Sequence, residues 1–132
     1  MKPFENLLTV GEDDLDDLNH VNNVRYVQWI QDISKEHWQS YAPPEMQARV
    51  VWVVMNHHIS YKGAAILGDT IQVITYIEKS KGATSVRVVE MYNHKTKQLL
   101  LRSSTEWCLL NAETYKPIRI SEDIKSIFTA RE

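Results

Sequence analysis

The chain has 132 residues, 43% of them apolar and 24% charged, which fits one soluble globular domain and leaves no comfortable room for two. Four Trp, six Tyr and two Phe supply core anchors, so global disorder is excluded. The formal net charge of −2 argues against a dedicated nucleic-acid binder, and the single cysteine, Cys108, excludes an internal disulfide or a cysteine-rich zinc site.

The segment Met1-Lys2-Pro3-Phe4-Glu5-Asn6 has no apolar signal core. The longest apolar run, residues 50–55, falls far short of the roughly 18–20 residues of a membrane span, so a cytoplasmic protein with no membrane partner is expected. A short strand over residues 5–9 comes first. Tyr26, Trp29, Ile30, Ile33 and His37 then mark one face of a long helix, and Val24, Val27 and Trp38 widen that face. Asn22 suits the N-cap, and Pro43-Pro44 ends the segment. Strands follow at 50–61, 71–78, 84–92 and 99–110. Loop or turn chemistry lies at 63–69, 79–82, 93–97 and 111–114. Ser121 caps a short C-terminal helix over 122–128. Hairpin-length turns imply antiparallel neighbours, and one apolar helix must share its buried face with the sheet. The expected class is α+β, an antiparallel sheet wrapped around one long central helix, as a single domain over 1–132.

The densest chemistry is Asp13-Asp14-Leu15-Asp16-Asp17-Leu18-Asn19-His20-Val21-Asn22-Asn23, four carboxylates and a histidine leading straight into a buried helix. Helix starts expose unpaired N–H groups and carry partial positive charge, so they cap internally or face a substrate oxygen. Composition alone reads Asp13, Asp14 and Asp17 as solvated loop charges. His57 and His58 are neighbours in a strand, point to opposite faces and cannot share a metal. Cys108 reads as a small buried hydrophobe in an apolar strand. Lys62, Lys79, Lys81 and Arg102 read as solvated charges.

The spacing Asp14-x-Asp16-x-x-x-His20-Val21-Asn22-Asn23-x-x-Tyr26 resembles the signature of the hotdog-fold acyl thioesterases, the 4-hydroxybenzoyl-CoA thioesterase-like superfamily. Extended through Val24-Arg25-Tyr26 and Trp29-Ile30, it looks most like the catalytic half of the plant acyl-ACP thioesterases. Ile59-x-Tyr61, Leu67-Gly68-Asp69-Thr70, Trp107-Cys108-Leu109-Leu110-Asn111 and Lys116-Pro117-Ile118-Arg119-Ile120 are similar to later stretches of the same superfamily. There are departures. Asn19 stands where many members have Gly, Leu18 where the plant enzymes have Asn, and Ala64-Ala65 near the place of their Glu-Cys pair. The plant enzymes carry two hotdog units, which points to a bacterial-type single-hotdog enzyme here.

The resemblance implies hydrolysis of an acyl-CoA or acyl-ACP thioester to a free acid and a thiol, with no metal or redox cofactor. Asp16 would be the nucleophile or general base, and the Asn23 backbone N–H would polarise the thioester carbonyl. His20 takes a catalytic or a structural hydrogen-bonding role. Asn22, Tyr26, Tyr61 and Asp69 fall where the superfamily meets its substrate. Relatives pair, so a homodimer or homotetramer with interfacial sites is implied. The alternatives are a non-hydrolytic acyl-thioester-binding hotdog protein, and a hotdog dehydratase or hydratase, whose catalytic histidine is placed differently.

Overall fold

The computed structural model describes residues 3–129. Met1 and Lys2, part of the segment read for a signal core, and residues 130–132, inside the expected 1–132 domain, lie outside the described residues. The strands are β1 (Phe4–Thr9), β2 (Val50–Tyr61), β3 (Thr70–Lys81), β4 (Thr84–Asn93) and β5 (Leu99–Asn111), and the helices are α1 (Asn23–Tyr41), α2 (Pro44–Arg49) and α3 (Glu122–Thr129). The strands form one sheet in the order β1-β3-β4-β5-β2, every neighbouring pair antiparallel. This is the α+β arrangement expected from the helix period and the hairpin-length turns.

Helix α1 begins where the Asn22 side chain accepts the Val24 amide at 2.8 Å, and it buries Tyr26, Ile30, Ile33, Ser34 and His37 against the sheet. Two boundaries differ from expectation by more than one residue. Pro44 opens the short helix α2 instead of leading directly into strand, because proline's fixed φ and missing N–H suit a first helical turn. Strand β3 runs on through Lys79, Ser80 and Lys81, and only the Gly82–Ala83 step turns the chain, with Gly82 at φ +62°.

A bulge in β2 positions the site. Pairing with β5 shifts register between Val54 and Asn56, leaving Met55 unpaired and exposed. Before the bulge Val50, Trp52 and Val54 face the helix side; after it His57, Ile59 and Tyr61 do, opposite Thr105, Ser103 and Leu101. A strand without the extra residue would turn Tyr61 away from α1.

The core has two apolar clusters. One gathers Tyr26, Ile30 and Ile33 with Ile71, Val73, Val89, Met91 and Leu101. The other gathers Met46 and Val50 with Leu109, Ile120, Ile124 and Phe128. Between them a row of polar groups crosses the sheet under α1: Thr75, Arg87, Thr105 and His57. Arg87 Nη1 donates to Thr75 Oγ1 at 3.0 Å and bonds His37 Nδ1 at 2.9 Å, and His57 Nδ1 lies 2.8 Å from Thr105 Oγ1.

His37 is held far below the usual histidine range, at about 3, by burial first and by the neighbouring Arg87 charge second. Its ring therefore stays neutral and accepts from Arg87. Below pH 6.5 the unfolded chain takes up a proton at His37 that the folded protein refuses until about pH 3, so stability is full above that window and falls on acidification through it. The urea midpoint of His37→Gln, whose amide keeps an acceptor for Arg87, should fall less steeply than that of the wild type between these two pH values.

Candidate active site

The loop ahead of α1 folds into a small hairpin. Leu15 bridges Val21, Asp16 N donates to His20 O at 2.7 Å, and Asn22 N donates to Asp14 O at 2.8 Å. Its tip depends on Asn19, which sits at φ +63°. That left-handed conformation is open to Gly and, among other residues, best tolerated by Asn and Asp, which suits Asn19 to this position.

Asp16 closes this hairpin with one oxygen and leaves the other open. Oδ1 accepts the amides of Leu18 at 2.8 Å and His20 at 3.1 Å, while Oδ2 has no donor among the described residues. The half-buried carboxylate is thus aimed by backbone bonds with one lone-pair face available. Asp14 is no free loop charge: its Oδ2 accepts the Gly11 amide and its Oδ1 pairs with Arg25 Nε, both at 2.8 Å. Arg25 also donates to Asp13 O, which ties the loop to the first turns of α1. Asp13 and Asp17 are exposed, as expected.

At the helix start, Asn22 is the cap, and Asn23 is the first helical residue. The Asn23 N–H has no acceptor among the described residues, and the first turn of α1 holds no acidic side chain, so its positive end is unneutralised from within. Tyr61 donates its hydroxyl to Asn23 Oδ1, joining the end of β2 to the helix start. Tyr26 lies below them in the core, its ring centroid 6.0 Å from that of Tyr61. Its hydroxyl has no well-formed partner, and burial raises its pKa, partly countered by the Ala65 backbone amide.

The 63–69 loop locks onto the same hairpin. Val21 N donates to Ala65 O at 3.0 Å, and His20 bridges Ile66. Asp69 builds that loop's turn, its Oδ2 accepting the Ile66 amide at 3.0 Å. The His20 ring is exposed and has no partner among the described residues; only its backbone serves the hairpin. The structure therefore brings Asp16, His20, Asn22, Asn23, Tyr26, Tyr61 and Asp69 into one neighbourhood. It buries Tyr26 and gives Asn22 and Asp69 local structural bonds. His57 points inward and His58 outward, so the two do not converge. Cys108 is buried in β5. Arg102 is not a lone solvated charge, since it pairs with Glu90 on β4. The polar Arg87 row has one sign in the sequence, an arginine set in the valine run of residues 86–89.

One long helix packed on a five-stranded antiparallel sheet is the hotdog fold, and solved structures share that fold. The DHNA-CoA thioesterase from Staphylococcus aureus superposes with a TM-score of 0.81 at 22% identity, covering 98% of this chain and 90% of that one. The 12:0-ACP thioesterase from Umbellularia californica superposes with a TM-score of 0.82 at 18% identity, covering 96% of this chain and 49% of that one. A family model described as the acyl-ACP thioesterase N-terminal domain matches residues 2–128. The chain belongs to the acyl-ACP thioesterase family. A chloroplastic acyl-[acyl-carrier-protein] hydrolase of Cuphea viscosissima is 29% identical over 83 residues, which is 62% of this chain and 20% of that protein. The match to the chloroplastic palmitoyl-acyl carrier protein thioesterase of Cuphea hookeriana likewise spans 20% of that protein.

The two-sided use of Asp16 makes a stability prediction. Asp16→Asn keeps an oxygen for the Leu18 and His20 amides and should unfold at nearly the wild-type urea concentration. Asp16→Ala loses both bonds and should cost about 1–3 kcal/mol.

Proposed function

We propose that this chain is a thioester hydrolase acting on acyl-CoA or acyl-ACP, with Asp16 as the catalytic carboxylate. The observation that carries this reading is the anchored Oδ1 and open Oδ2 of Asp16, beside a helix start whose first amide is unclaimed. The Asn23 N–H donates to the thioester carbonyl oxygen and stabilises the charge that develops on it. Asp16 then either takes a proton from an attacking water, or attacks the carbonyl carbon itself to give an anhydride that water opens. In both routes the C–S bond breaks, the sulfur leaves as thiolate and is protonated, and the acyl group departs as a carboxylic acid. His20 lies across the hairpin from Asp16 and presents its imidazole ring at the exposed rim. Tyr61 holds the Asn23 side chain, and Asp69 fixes the loop that walls the site. The chemistry needs no metal or redox cofactor. The cytoplasmic placement expected from the sequence belongs to this reading, whereas the curated relatives are chloroplastic.

The assembly we propose is a homodimer, or a homotetramer built from it. Strand β2 is a long edge strand of 12 residues with one side unpaired, a template for a second copy. Leu18, Val24, Ile66 and Leu67 are all more than half exposed around the candidate site, which supports a partner or an acyl chain covering them.

A thiol-release assay over short-chain, long-chain and aromatic CoA thioesters, repeated with acyl carrier protein, tests the activity. Asp16→Asn should lower kcat by at least about 10²-fold with KM little changed, since a transition-state interaction is lost. Asp13→Asn and Asp17→Asn should cost less than about tenfold. Near wild-type turnover by Asp16→Asn would remove the carboxylate from the mechanism, and no thiol release from any substrate would favour an acyl-binding protein. Light scattering should give at least a dimer at micromolar concentration; a fully active monomer would contradict the assembly.

A further inference from the structure

The C-terminal half of α1 does not seal against the sheet. A cavity of about 290 Å³ remains there, walled by Trp38, Trp52, Trp107 and Phe128, with Ser85 and Arg87 of β4 in its floor. It is distant from the hydrolytic site: Ser34, also in its wall, lies roughly 17 Å along α1 from Asn23. An adjoining hollow shares Trp52, Ser85 and Phe128 with it and is bordered by Lys79, Lys125 and Glu78.

Arg87 is the anomaly of this cavity. It is only 4% exposed, yet its partners are all neutral: His37 Nδ1, Thr75 Oγ1 and the Phe128 ring, whose centroid lies 5.2 Å from the guanidinium carbon. No carboxylate among the described residues lies within ion-pair distance of it. The Nη1 group serves His37 and Thr75, which leaves the Nε and Nη2 N–H groups without an acceptor among the described residues. The indole N–H groups of Trp52 and Trp107 are buried without an acceptor as well. Burial lowers Arg87 only to about 9, so it remains a cation at neutral pH. A buried charge is costly unless an opposite charge meets it.

We propose that this cavity binds a free carboxylic acid with an aliphatic or aromatic body, its carboxylate paired with Arg87 and its body against the tryptophans and Phe128. A planar carboxylate matches the two open edges of a guanidinium, and one charge balances one. A phosphate would bring more polar oxygens and charge than these aromatic walls satisfy. The volume is at the low end of the roughly 300–1,000 Å³ of small-molecule pockets, which suits a compact acid and excludes a whole coenzyme A. The site goes beyond the proposed hydrolysis: its ligand shares the chemistry of a thioesterase product, but its occupancy requires no turnover.

The test uses octanoate and its neutral isostere octanamide on the full chain, so its outcome is separate from that of the thiol-release assay. Three of the four tryptophans, Trp38, Trp52 and Trp107, line the cavity, whereas Trp29 packs on Tyr26 near the other end of α1. In isotope-labelled protein, octanoate at up to a few millimolar should shift the Trp52 and Trp107 indole N–H signals saturably and leave Trp29 in place. Octanamide should bind at least about tenfold more weakly, because the charge-assisted pair is missing. Arg87→Met should lose the preference for the acid. Equal binding of octanamide and octanoate, shifts confined to Trp29, no saturable shift at all, or an unchanged preference in Arg87→Met would each overturn the proposal. The acid–amide comparison on the wild type decides the question even if Arg87→Met does not fold.

Discussion

Seating one helix of 19 residues against one face of a five-stranded sheet is the constraint on which the rest depends. The helix is too amphipathic to stand alone and the sheet too apolar on one face, so each supplies the burial that the other needs. Hydrophobic side chains from β2, β3, β4 and β5 meet α1 along its length, and β1 closes the far edge beside β3. Once the helix is fixed this way, its first turn must emerge where the 63–69 loop and the end of β2 come together. The location of the candidate site thus follows from the packing of the core.

At that emergent end the helix start is left electrically open. Its first turn has no acid, and the nearest carboxylates are committed elsewhere: Asp14 to Arg25 and Gly11, and one oxygen of Asp16 to its own hairpin. Four aspartates in five positions look interchangeable as a string. The backbone makes them different by giving each a separate set of donors. Of these four, only Asp16 combines two amide anchors with an oxygen that has no donor among the described residues, a division of labour that holds a reactive group still without consuming it.

The helix, the antiparallel order and the carboxylate loop were legible in the sequence because each rests on a local signal: a 3.6-residue apolar period, turn chemistry at hairpin spacing, and a short spaced motif. The inward face of Tyr61 was not legible, because it depends on one unpaired residue, Met55, and a bulge leaves no mark in an apolar run such as residues 50–55. Helix α2 is not legible in the sequence because Pro43-Pro44 signals the end of a helix, whereas the second proline also begins a new turn. The polar row was hidden for another reason. Thr75, Ser85, Arg87, Ser103 and Thr105 occupy inward positions where alternation alone expects apolar side chains, and only cross-strand register shows that they line up.

That row also bears on what holds the fold together. Replacing a buried polar network by apolar groups of similar shape is commonly neutral or stabilising, so Thr75, Arg87 and His37 are not where the stability of the core originates. The two apolar clusters on either side supply it, one beneath the N-terminal half of α1 and the other beneath its C-terminal end and α3. A sheet selected for stability alone would merge the clusters. Keeping them apart leaves α1 gripped at both ends and loosely filled at its C-terminal half, where the cavity and the unpaired guanidinium occur together. Among the described residues, the same helix therefore presents two chemically opposite environments: at its start, a carboxylate beside an amide with no acceptor, and toward its end, a cation with no anion.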